Sequence, residues 1–173
     1  MAEFPPPSLA PLAQEVVDLL KARSETVSVA ETAAGGLISA CLLSTPGASA
    51  IYKGGLTVYT LESRLAFAGW TQANIENYRG PTTEIVSQMA EHTRQTLFST
   101  YAVSESGTAG PTGGSTRNRT PGYVAIAVSG AHGCSTREVE TGSSNRAENM
   151  VSFARETLQL LKEVLTKTEG STL

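Results

Sequence analysis

Val27-Ser28-Val29-Ala30-Glu31-Thr32-Ala33-Ala34-Gly35-Gly36 joins a β-branched run to an apolar one. Thr26 to Val29 predicts a short buried strand, because branched side chains suit a pleated, packed surface. Leu37-Ile38-Ser39-Ala40-Cys41-Leu42-Leu43 predicts a mostly buried helix. A strand that turns sharply into a helix in an α/β protein delivers its connecting residues to the carboxyl edge of the sheet, where ligands bind. The first-turn N–H groups of such a helix lack internal partners and favour anions and developing oxyanions. Gly35 and Gly36 would let a substrate approach that backbone closely. Two readings of Thr32 stand side by side: an N-cap for the helix, or a functional hydroxyl.

Composition bounds the partners. The 173 residues fit one domain, 1–173, with a proline-rich arm at 1–11 and a tail at 167–173 expected to fray. A net charge of -3 and a pI near 5.4 argue against nucleic acid or an anionic membrane as partner. No apolar run reaches membrane-spanning length, and Met1 to Pro7 lacks the basic and apolar regions of a signal peptide, so a cytoplasmic protein is expected. Cys41 and Cys134 are too few for a disulfide framework, and with His92 and His132 they offer no zinc spacing. Neither a metal nor a cofactor is expected. His92 falls on a predicted helix and His132 in a turn, so a Ser-His-Asp arrangement is a poor fit.

Leu12, Val16, Val17, Leu19 and Leu20 form a helical stripe ahead of the first strand. Ser44 to Gly47 stops the central helix, and a second strand is expected at Leu56 to Tyr59 behind Gly54-Gly55. Helices are expected at Leu61 to Ala68, Gln72 to Tyr78 and from Pro81 to Leu97, then a strand at Tyr101 to Ser104. Gly107-Thr108-Ala109-Gly110-Pro111-Thr112-Gly113-Gly114 is not a Walker loop, yet its glycines suit an anion-binding concavity, with Arg117 or Arg119 as fixed charge. Tyr123 to Val128 and Glu138 to Glu140 predict a hairpin, and Arg146 to Leu165 an amphipathic helix. Alternating elements followed by an antiparallel pair predict a three-layer α/β/α sandwich with a mixed sheet. Exposed apolar residues near Trp70 and Tyr78 are candidates for a subunit interface.

From about Leu12 to Leu165 the chain resembles the CinA C-terminal domain family, whose characterised bacterial members are nicotinamide mononucleotide deamidases. The likeness rests on Glu31 to Gly36, the Pro46-Gly47-Ala48-Ser49 loop, Gly55 to Arg64, Gly80 to Glu91 and Gly107 to Gly114 in that order. It implies an α/β/α sandwich, a homo-oligomer and a small-molecule ligand such as a nucleotide. It also implies a site made of Thr32, Ser49, Tyr59 and Arg64, with Glu31, Gly35, Gly36, Glu62, Gly107, Thr108, Gly110, Gly113, Arg117, Arg119 and Arg146 around the substrate. The family motif has serine at the position of Thr32 and lysine at that of Arg64. Threonine still carries a nucleophilic hydroxyl. Arginine is the harder replacement: deprotonating it at pH 7 costs roughly 7 to 9 kcal/mol, and proteins do not do so. Arg64 is then a fixed cation that either acts on Tyr59 as base or binds an anion, with Lys53 a weaker substitute base. The implied activity is hydrolysis of a C–N amide bond; the alternatives are a silent small-molecule binder or a redirected enzyme.

Overall fold

The computed structural model describes residues 3–169. The first two residues of the expected arm, and 170–173 of the expected tail, lie outside the described residues. In chain order the elements are α1 (Ala10–Ala22), β1 (Val27–Glu31), α2 (Leu37–Leu43), a 3-10 turn (Ala48–Ala50), β2 (Tyr52–Thr57), α3 (Leu61–Phe67), α4 (Gln72–Glu76) and α5 (Thr83–Leu97). There follow β3 (Tyr101–Gly107), a 3-10 turn (Arg117–Arg119), β4 (Tyr123–Gly130), β5 (Gly133–Glu140) and α6 (Arg146–Glu169).

The five strands form one mixed sheet in the order β2-β1-β3-β4-β5. β1 runs parallel to both β2 and β3, while β4 and β5 are antiparallel additions. From β1 the chain leaves for α2 on one face, and from β2 it leaves for α3 on the other, because right-handed crossovers in opposite directions put their helices on opposite faces. The crevice that opens between such strand ends is where α/β sheets bind ligands. Pleating sorts the side chains: Val27, Val29, Tyr101 and Val103 join the core under α1, α2 and α6, and Ala30 and Ala102 the core under α5.

Three boundaries differ from expectation. The arm ends sooner, since Leu9 is fully buried, its N–H bonds to Pro6 O at 2.8 Å, and α1 begins at Ala10. The second strand lies four residues earlier than Leu56 and contains both glycines. Gly55 is needed there because a Cβ would meet the Ser39 hydroxyl of α2 at 2.7 Å. α6 continues as helix through the first residues of the expected fraying tail. Trp70 itself is buried, 6% exposed in the core beside Val86 and Met89, while Phe67 nearby is exposed.

Candidate active site

The carboxyl ends of β1, β2 and β3 meet at one edge, because Glu31 pairs with Thr57 on one side and Glu105 on the other. Thr32 and Ser106 follow directly, and Tyr59 lies two residues beyond Thr57. Thr32 is not the N-cap of α2; that position is Gly36, with φ +100. The capping acceptor is instead the Glu31 carboxylate, which takes the N–H groups of Ile38 at 3.1 Å and Ser39 at 3.0 Å. Glu31, expected beside the substrate, is therefore fully buried with both carboxylate oxygens anchoring the start of α2. The expected oxyanion donors are occupied as well. Thr32 N and Ala34 N donate to Glu105 Oε1 at 2.6 and 2.8 Å, and Gly35 N donates to Thr32 O at 3.2 Å. Gly35 and Gly36 supply the positive-φ turn, and Met150 of α6 covers Gly35, where a Cβ would meet its terminal methyl at 2.8 Å.

Thr32 straddles the sheet. Its N–H faces Glu105 on the α2 side, and its hydroxyl donates to Ser106 Oγ at 3.3 Å on the α3 side. Arg64 reaches the same Ser106 oxygen with Nη2 at 3.4 Å and donates from Nε to Val58 O at 3.3 Å. The guanidinium is 4% exposed and lies over the rings of Trp70 at 5.1 Å and Tyr78 at 5.4 Å. Each such contact with a desolvated cation contributes about 0.5–2 kcal/mol, partly offsetting the cost of burying the charge. Arg64 Nη1 has no hydrogen-bond partner. Among the described residues, Ser106 thus links the Thr32 hydroxyl to the Arg64 cation.

Tyr59 belongs to a different group. It is 59% exposed, and its hydroxyl accepts from Arg146 Nη2 at 2.8 Å rather than from Arg64. Arg146 also donates from Nη1 to Gly110 O at 2.8 Å. Together with Ala33, Gly107, Thr108, Ala109 and Thr112 these residues line a pocket of about 190 Å³. Thr108 Oγ1 donates to Asn118 O, which ties the pocket's glycine loop to the following turn.

Other expected residues are placed elsewhere. Ser49 sits in the turn before β2, at the amino edge of the sheet, because β2 starts only at Tyr52, opposite Val27. Lys53 lies at the same end, beside the register shift between Val27 and Ser28. Glu62 is exposed in the first turn of α3. Arg117 is ion-paired with Glu138 and Glu140 on β5, so its charge is spent on the edge strand. Arg119 is exposed against Gly80 and Gly114, and Gly113 folds onto the Arg119 backbone, outside the pocket.

Two residues of the site escaped the sequence: Glu105 and Ser106. Glu105 is fully buried, and burial is the main reason its carboxyl is pushed up to about 7. The Ala34 and Thr32 N–H groups oppose that rise, the Glu31 charge adds to it, and Arg64 opposes it. Its Oε2 is buried without a partner. The available signal was a lone acid in the otherwise small and apolar run Tyr101-Ala102-Val103-Ser104-Glu105-Ser106.

Comparison with known proteins agrees with this architecture. The family model described as CinA C-terminal domain matches residues 9–165. A CinA-like protein of Prochlorococcus marinus (strain MIT 9313) is 39% identical over 131 residues, covering 76% of this chain and 30% of that protein. A CinA-like protein of Fervidobacterium nodosum is 33% identical over 159 residues, covering 90% of this chain and 38% of that protein. The chain thus spans about a third of the length of the curated relatives it matches. Among solved structures, the competence/damage inducible protein CihA from Agrobacterium tumefaciens superposes with a TM-score of 0.86 at 27% identity, over 96% of this chain and 99% of that one. Sequence, topology and structural likeness converge: the chain belongs to the CinA C-terminal domain family.

Proposed function

We propose that the chain is an amidohydrolase-like protein that holds the anionic end of a nucleotide or related small molecule in the Tyr59–Arg146 pocket and presents a C–N amide bond to Thr32. The observation that carries this reading is the position of Ala33: it follows Thr32 directly and lines the same pocket as Arg146. In the reaction, Thr32 Oγ bonds to the carbonyl carbon, the C–N bond breaks, and the hydroxyl proton leaves with the nitrogen as ammonia. Water then cleaves the threonyl ester and restores the hydroxyl.

A second reading, a silent binder, is favoured by the surroundings of the hydroxyl. Thr32 is 2% exposed, and its proton points to a serine that is itself held by a permanent cation. Turnover is therefore expected to be weak. Nicotinamide mononucleotide is the probe, with ammonia release and calorimetric binding measured together. Binding with little or no ammonia from the native chain, and partial recovery of ammonia in a Thr32→Ser, Arg64→Lys variant, supports the proposal. Absence of binding overturns the pocket, and brisk turnover abolished by Thr32→Ala removes the silent reading. A homo-oligomer, implied by family likeness, is part of the same proposal and is tested by light scattering.

A further inference from the structure

Glu31 and Glu105 occupy paired positions on neighbouring parallel strands, so both carboxylates project from one face of the sheet, beneath the turn that carries Thr32. Backbones of such strands are about 4.8 Å apart. Both residues are fully buried. Among the described residues neither is ion-paired, and the pleat explains why: Arg64 reaches Ser106, which projects from the opposite face. Two carboxylates in one dry compartment resist being ionised together.

Their partners differ. Glu31 uses both oxygens, one on Ser39 N and one on Ile38 N. Glu105 uses Oε1 twice, on Thr32 N and Ala34 N, while Oε2 has no partner. A proton placed on Glu105 Oε2 breaks no hydrogen bond, whereas either oxygen of Glu31 already accepts from a backbone donor and becomes a weaker acceptor once protonated. The charged groups that act on Glu105 are Glu31 from β1 and Arg64 from α3. On the Glu31 side stand Cys41 of α2, pushed up to about 11 mainly by burial, and Tyr52 of β2, also raised mainly by burial. Both keep their protons through neutral pH.

We propose that Glu105 carries a proton on Oε2, and that its loss draws the Thr32–Ala34 turn tighter and weakens the adjoining pocket's hold on anions. Glu105 is then a positioning residue whose charge regulates the site. With the proton on, Oε1 is a neutral acceptor; with it off, the N–H bonds from Thr32 and Ala34 become charge-assisted and shorten. The same loss leaves an added negative charge on the strand that runs into Gly107 and the pocket, opposing Arg146. The pocket clause rests on the proposed function; the proton clause does not.

The test is NMR titration of the full chain from pH 5.5 to 8.5. The Thr32 and Ala34 amide protons are expected to move downfield together with a midpoint near 7, with one glutamate carboxyl carbon titrating alongside. Both transitions should vanish in Glu105→Gln, which keeps the shape and the acceptor. In Glu31→Gln the midpoint should fall but stay above the ordinary carboxylate range, because burial is the larger cause of the rise. Flat amide shifts in the native chain, or a transition that survives in Glu105→Gln, overturns the Glu105 proton. Sulfate, whose charge is constant over this range, then probes the pocket through the amide shifts of Gly107 to Thr112. Affinity several-fold weaker at pH 8.5 than at pH 5.5, and independent of pH in Glu105→Gln, supports the regulation. A pH-independent affinity in the native chain overturns it. Absence of sulfate binding at either pH overturns the pocket reading and the ligand half of this proposal, while the amide titration decides the proton half alone.

Discussion

Two regions share the carboxyl edge of this sheet and are built on opposite principles. Around Thr32, Glu31, Glu105, Ser106 and Arg64, every residue is buried and nearly every polar atom is committed to the protein itself. Tyr59, Arg146, Pro111 and Thr112 are open to solvent, and among the described residues Arg146 is held by a carbonyl and a phenol. The first region carries the hydroxyl proposed to react, nearly closed to solvent; the second is open and carries the groups proposed to hold the anion. Binding and chemistry in this chain are therefore separable quantities, each answering to its own substitutions.

If the buried region is a structural unit, Glu31→Ala costs the most. It strips a charged acceptor from Ile38 N and Ser39 N and leaves buried donors unpaired, so a loss of about 3–5 kcal/mol is expected in urea unfolding. A loss under about 1 kcal/mol would place the anchor of α2 elsewhere.

Glu105→Gln tests the same region with the opposite sign. The folded carboxyl lies near 7 against an ordinary 4.5, so the native state binds this proton more tightly than the unfolded chain does. The stability linked to Glu105 is thus fully present below about pH 4.5 and lost as pH rises through 7. The glutamine variant escapes that loss and should exceed the native chain by about 3 kcal/mol at pH 8.5, the advantage fading by pH 4.5. Equal pH profiles for the two proteins, measured by denaturant midpoints, would refute it.

Arg146→Ala probes the open region. Nicotinamide mononucleotide affinity should fall about 10- to 100-fold, the range for losing a charged hydrogen-bonding partner, with little change in unfolding midpoint, since the side chain is exposed. A large stability loss with intact affinity would reverse the assignment of the two regions. Arg117→Ala should do least, leaving both midpoint and affinity unchanged, because its ion pairs with Glu138 and Glu140 are exposed to solvent.

The strand-turn-helix from Val27 to Leu43 was legible because its β-branched run, glycine pair and apolar helix each point to the same local structure. The second strand was displaced because Gly54-Gly55 reads as a break, although Gly55 serves to let α2 come close. Ser49 was grouped with Thr32 by motif order, and order along the chain does not say which end of a parallel strand a loop occupies. Glu105 stayed hidden because its role depends on Glu31, a neighbour only through strand pairing. The Tyr59–Arg146 contact spans 87 positions, beyond any periodic signal.

The stack of Trp70 against Arg64 has a practical consequence. The chain holds one tryptophan, so all indole fluorescence originates within 5.1 Å of the cation that faces Ser106. Excitation near the red edge of the ultraviolet band reads a single chromophore, whose emission colour responds to displacement of that cation. Movement at the centre of the molecule can accordingly be followed in unlabelled protein, in real time, with an ordinary fluorimeter.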